Sequence, residues 1–145
     1  VAVTCADRDA SLAFYTGLGF TEITRFSVKG PDGGHMGIEG PVAMDAVLLM
    51  PPGGGSLMLE LVRWRSPEAT VAPRRPANTP GIWRFALLVD DIDTAFTELT
   101  DHAIAAYSHP VTLDMGPGLP PVRFACFAGP DEEVIELIEA PRADG

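Results

Sequence analysis

The chain repeats itself, and a repeat constrains the fold before any single residue does. Val1-Ala-Val-Thr-Cys-Ala-Asp-Arg-Asp9 lies over Phe85-Ala-Leu-Leu-Val-Asp-Asp-Ile-Asp93, so that Ala2, Asp7 and Asp9 meet Ala86, Asp91 and Asp93 at one offset. Each segment is an apolar run, then acidic residues, then a helical pattern. Asp7 and Asp91 are natural N-caps, because a carboxylate accepts from the free N–H groups of a helix start and suits its dipole. After Asp91, the residues Ile92, Ala95, Phe96 and Leu99 give one apolar helix face. Leu12, Tyr15 and Leu18 do so less regularly in the first half, and Gly17 and Gly19 are expected to close that helix before Phe20.

The ends of the two halves match as well. Leu57-Met-Leu-Glu60-Leu-Val62 lies over Glu133-Val-Ile-Glu136-Leu-Ile138, each an apolar run with one carboxylate in the middle. Each follows a turn, Pro51-Pro-Gly-Gly-Gly-Ser56 in one case and Gly129-Pro-Asp131 in the other. Between start and end, each half holds two further candidate strands, at 20–28 and 43–50, then at 103–113 and 120–128. The expected fold is therefore α+β, a strand–helix–strand–strand–strand (βαβββ) unit used twice. The first module covers residues 1–64, a Pro- and Arg-rich linker 65–80, and the second module 81–141. Residues 29–42 form a Gly-rich loop containing His35, which reads as a lid or as a plain excursion.

Composition narrows the partners. The formal charge is −10, with 46% hydrophobic and 21% charged residues. That is globular composition, and an acidic surface repels nucleic acid and anionic membrane, so neither is expected as a partner. No apolar stretch approaches membrane-spanning length. Cys5 and Cys126 both sit in apolar runs and read as buried, reduced thiols, which fits a cytoplasmic protein. No signal peptide is expected. The chain opens inside a strand pattern, so a few residues are expected to precede Val1.

The run Asp7-Arg-Asp-Ala-Ser-Leu-Ala-Phe-Tyr15 followed by Leu18-Gly-Phe20 resembles the first module of the vicinal oxygen chelate superfamily, which includes glyoxalase I, extradiol dioxygenases and bleomycin-resistance proteins. Leu59-Glu-Leu61, Gly81-Ile82, Val89-Asp-Asp-Ile-Asp93, Gly129-Pro-Asp131 and Ile135-Glu-Leu137 extend the resemblance along nearly the whole chain. It implies two modules forming an incomplete barrel around a cavity, usually a homodimer. It also implies four inward positions, on the first and fourth strand of each module, that commonly bind a divalent metal.

Glu60 and Glu136 match the fourth-strand positions. From the residues alone, a carboxylate between Leu59 and Leu61, or between Ile135 and Leu137, faces a wet sheet surface, a cavity or a partner. The first-strand pattern of the second module falls on Gly81-Ile-Trp-Arg84-Phe-Ala-Leu87, placing Arg84 where relatives carry His. A guanidinium is always protonated and has no lone pair for a metal. The matching position of the first module falls just before Val1. A slip of one residue would turn Trp83 inward in place of Arg84, a question that strand alternation decides.

The expected catalytic set is Glu60, Glu136 and Arg84. Arg84, Trp83 and His35 are candidate substrate-binding residues, with packing the competing role for Trp83 and ordinary surface for His35. Glu60 and Glu136 are ligands only if a metal is bound, and the favoured site holds none, with Arg84 in the metal's place. Three functions follow. The first is acid–base chemistry of the lyase, isomerase or cyclase kind on a small organic molecule. The second is a metal-dependent epimerase or dioxygenase, using the residue before Val1 with Glu60 and Glu136. The third is a non-catalytic drug-binding resistance protein.

Overall fold

A computed structural model describes residues 1–70, 73, 75–82 and 84–139. The chain divides into two compact units, Val1–Pro73 and Arg74–Gly145. The first contains β1 (Ala2–Thr4), α1 (Arg8–Gly17), β2 (Thr21–Gly30), a one-turn 3-10 helix (Gly34–Met36), β3 (Val42–Met50) and β4 (Leu59–Ser66). The second contains β5 (Arg84–Val89), α2 (Ile92–Asp101), β6 (Val111–Leu113), β7 (Val122–Ala128) and β8 (Val134–Glu139). The architecture is the α+β repeat expected from the sequence.

Both sheets have the same topology. The first runs β1-β4-β3-β2 and the second β5-β8-β7-β6. In each, the first and fourth strands pair in parallel and the other neighbours are antiparallel. Among the described residues β1 and β2 are the outer strands of the first sheet, and β5 and β6 those of the second. The register reproduces the sequence repeat. Ala2 pairs with Glu60, and its counterpart Ala86 pairs with Glu136.

The helix starts are capped as the acidic residues predict. Asp7 Oδ1 accepts from the backbone N–H of Asp9 (3.0 Å) and Ala10 (3.1 Å), and Asp91 Oδ1 accepts from Thr94 (2.9 Å). In the second unit Ile92 is buried with Ala125, Phe127 and Leu137, and Ala95, Phe96 and Leu99 pack against them. The buried face of α1 differs from expectation. Ser11 and Tyr15 carry it, while Leu12 and Leu18 are only half-buried. Burying Ser11 costs little because its hydroxyl donates to the Asp7 carbonyl at 2.9 Å. Gly17 is the last residue of the helix, and the turn falls at Gly19, whose φ of +87° suits glycine.

Two boundaries move. The strand expected over 103–113 is reduced to Val111–Leu113 plus one bridge between Ala106 and Phe127. Ala103 turns the chain at φ +61° directly after the helix, and Pro110 has no N–H to donate to a ladder. β4 continues through Ser66, into the segment expected as linker, and Arg65 bridges to Glu68 beyond it. No helix among the described residues is long and apolar enough to cross a membrane.

Candidate functional site

Strand alternation settles which residue of the β5 lead-in shares a face with Glu136. Ala86 is the pairing partner of Glu136, and Arg84 is two residues before it, so Arg84 points to the same side. Its Nε–H donates to Glu136 Oε2 at 2.8 Å. Glu136 is 6% exposed at the side chain and Arg84 43%, so the pair joins a buried carboxylate to a cation that reaches the surface. A buried carboxylate needs such a partner. The alternate residues Leu87, Ala125, Phe127 and Leu137 pack on α2, which leaves Arg84 and Glu136 on the face away from that helix. Trp83 lies outside the described residues.

Cys126 pairs across the sheet with Glu136 and stands on the same face. It is buried and in no disulfide among the described residues, as is Cys5. Burial raises the Cys126 thiol above its ordinary range, the Glu136 charge raises it further, and Arg84 partly offsets both. Both effects favour the thiol over the nucleophilic thiolate. Its place beside Glu136 was readable from the period-two pattern of Phe124, Cys126 and Ala128 once the register was known.

Glu60 occupies the equivalent place in the first sheet. It stands in one row with Ala2 and Leu48, on the opposite face from Val47, Leu49, Leu59 and Leu61, each 3% exposed or less. Glu60 is half-buried, and its carboxylate makes no salt bridge or hydrogen bond among the described residues. His35 is exposed on the 3-10 turn beyond the Gly30–Val42 end of the β2–β3 hairpin. Six residues of β3, about 20 Å of strand, separate that end from the Glu60 row. The fold does not bring His35 and Glu60 together along the hairpin.

Two charged clusters went unread in the sequence. Arg123 bonds Asp93 through both terminal nitrogens (2.8 and 2.9 Å) and Glu139 at 3.1 Å, and Glu139 also accepts from the Ile92 backbone N–H at 3.1 Å. They fasten the start of α2 to its sheet. In the first sheet, buried Asp45 accepts from the Ser27 hydroxyl at 2.6 Å and pairs with Arg65. The Ser27 hydrogen bond and the Arg65 charge hold the Asp45 carboxyl below its ordinary range. Neither cluster has a local sequence signal, since each is assembled by strand register.

The chemistry of the donor set decides how a metal would fit. In the second module, Arg84 offers only donors, and Glu136 spends one oxygen on it. No group of three or more His, Cys, Asp or Glu among the described residues is arranged to hold a metal ion. The second module therefore does not provide the pair of ligands that the resemblance implies.

Among curated proteins, none matches this chain. Solved structures do. A glyoxalase family protein from Bacillus cereus is 24% identical with a TM-score of 0.77, over 96% of this chain and 90% of that one. Glyoxalase I from Leishmania major is 19% identical with a TM-score of 0.63, over 96% and 83%. A fosfomycin resistance protein from Listeria monocytogenes, solved with Mn(II) and sulfate, is 12% identical with a TM-score of 0.61, over 97% and 89%. At these identities the likeness is one of fold. The family model of the Glyoxalase/Bleomycin resistance protein/Dioxygenase superfamily matches residues 1–116, and the chain belongs to that superfamily.

Proposed function

We propose that this protein binds a small organic molecule on the face of the second sheet that carries Arg84 and Glu136, and catalyses acid–base chemistry of the lyase, isomerase or cyclase kind there without a metal ligand from that module. The observation that carries this reading is the 2.8 Å bond from Arg84 Nε to Glu136 Oε2, which holds a cation on a buried carboxylate; the sequence resemblance expects a metal ligand at the position of Arg84. Glu136 Oε2 stays on the guanidinium, and Oε1 takes a proton from a substrate carbon or hydroxyl. Arg84 stabilises the negative charge that then develops on an adjacent oxygen, as a preorganised cation does. Glu60 is a second candidate base on its own sheet. A homodimer, as in relatives, is part of the same proposal.

Elemental analysis of the full natural protein, purified without chelator or affinity nickel, tests the reading. The expected result is a divalent-metal content well below one ion per chain, even after incubation with Zn, Fe, Mn or Ni. One ion per chain that is lost on Glu136→Gln substitution would sink it, and would make Glu136 a ligand with Arg84 beside the metal. Glu60→Gln and Glu136→Gln, assayed separately once a substrate is in hand, assign the base.

A further inference from the structure

The register of the first sheet sorts its Glu60 face into rows. Ala2, Glu60, Leu48 and Thr24 form the first, Thr4, Val62, Ala46 and Phe26 the second, and Trp64, Met44 and Val28 the third. Glu60 is the one ionisable side chain in these rows. Arg25, Lys29 and Arg63 have the opposite parity in their strands, and Arg65, at the bulge of β4, turns to Asp45 on the other face. Val62 and Ala46 are buried, Leu48, Met44, Trp64 and Val28 are half-buried, and Phe26 is 40% exposed. The half-buried Glu60 carboxylate makes no salt bridge or hydrogen bond among the described residues. A carboxylate that keeps part of its hydration and has no protein partner is open to a cation.

We infer that this face holds an organic monoammonium ion with a linear apolar chain of about eight carbons, its nitrogen on Glu60 and its chain running along β3 and β4 to the Met44–Trp64 row. Charge complementarity selects the occupant. The rows hold one carboxylate and no cation, and the chain's formal charge of −10 draws cations and repels anions. A metal ion is a poor match, because it needs several ligands and the Glu60 row adds only the Thr24 hydroxyl. Spacing sets the length. The third row lies four residues, about 13 Å, along the strands from Glu60. A charge-assisted N–H···O contact takes about 2.8 Å of that. An eight-carbon ammonium ion, a zigzag of bonds of about 1.5 Å, spans about 10 Å, which accounts for the rest. The rows end there, since the bulge at Arg65 breaks the alternation. The inference concerns the first sheet alone, so its failure leaves the Arg84–Glu136 reading untouched.

Calorimetric titration of the full chain with butylammonium, octylammonium, octan-1-ol and octanoate tests it. Octylammonium is expected to bind at least about fivefold more tightly than octanol, between the worth of an exposed ion pair and that of a charge-assisted hydrogen bond, with octanoate weakest. It is expected to bind at least about tenfold more tightly than butylammonium, each of four further methylenes, covered on one side, adding about twofold. Glu60→Gln, checked for folding by circular dichroism, is expected to bring octylammonium to the level of octanol. Glu39→Gln, which removes the same charge from an exposed position, is expected to leave the affinity unchanged. Met44→Ala is expected to weaken octylammonium and leave butylammonium unchanged. Octylammonium affinity that survives in Glu60→Gln, or falls equally in Glu39→Gln, overturns the inference, since the cation then answers to overall charge. Equal binding of the two ammonium ions, or a Met44→Ala variant that binds both as the parent does, overturns the seat of the chain and the inference with it. No binding of octylammonium up to its solubility limit overturns it outright.

Discussion

Removing Arg84 should destabilise the second unit, and removing both charges should restore it. In Arg84→Gln the Glu136 carboxylate, 6% exposed, keeps its place in β8 but loses the cation at 2.8 Å. Breaking a fully buried pair in this one-sided way costs about 3–5 kcal/mol. Arg84 is 43% exposed, so water already screens its end, and the cost here should be smaller, about 1–3 kcal/mol. For a chain of this size that is a fall in Tm of about 3–10 °C. The double variant Arg84→Gln, Glu136→Gln leaves no buried charge and places two amides where they can bond each other, so most of the loss should return. Calorimetry and urea unfolding of the parent, both single variants and the double variant close the cycle, with a coupling of about 1–2 kcal/mol expected. A single Arg84 variant as stable as the parent, or a double variant no better than the worse single, would refute the reasoning that this bond carries a buried charge.

Three other perturbations have equally specific outcomes. At Gly33 a Cβ would sit 2.4 Å from Val42 Cγ1 and 2.9 Å from the Ile38 carbonyl oxygen, so Gly33→Ala should cost about 1–3 kcal/mol by overpacking, read as a lower urea midpoint with an unchanged far-ultraviolet spectrum. Asp91→Ala removes the cap on α2 and should cost about 1 kcal/mol, whereas Asp91→Asn should cost only a few tenths, both measured by thermal unfolding. The lowered Asp45 carboxyl stabilises the folded state above the ordinary carboxylate value of 3.8, and that contribution is lost as pH falls below it. Asp45→Asn should therefore flatten the decline in stability as pH falls below about 4, and a decline as steep as the parent's would rule out this linkage.

The parts of the fold that are written locally were legible. Two aspartates followed by helical spacing gave two capped helices, and the shared offset of Ala2 with Ala86 gave two sheets of one topology. The failures are places where a tertiary term wins. The buried face of α1 falls on Ser11, a polar residue whose hydroxyl is satisfied inside its own helix, so apolar periodicity passes over it. The strand before Pro110 is short because the backbone turns at Ala103, where a left-handed alanine has no sequence marker. At the site, the family resemblance put Arg84 and Glu136 on the first and fourth strands of the second module, and the parallel register of those strands brings them together. Cys126, Arg123 and Asp45 were not legible, since their partners come from strands whose register only the assembled sheet defines.

The two halves keep one geometry and differ in chemistry at the same point. Glu60 and Glu136 stand in equivalent rows, each paired with an alanine of a parallel edge strand. The second has a guanidinium two residues upstream of that alanine, and its carboxylate is nearly closed off from water, at 5% against a half-buried Glu60. The two observations have one cause. A carboxylate without a partner keeps its solvation, while one bonded to Arg84 can lose it. Arginine at that position makes the second half charge-paired, and no change of backbone is needed, because β5 and β8 hold the register of β1 and β4. A fold whose repeat fixes where side chains point is free to change what they do.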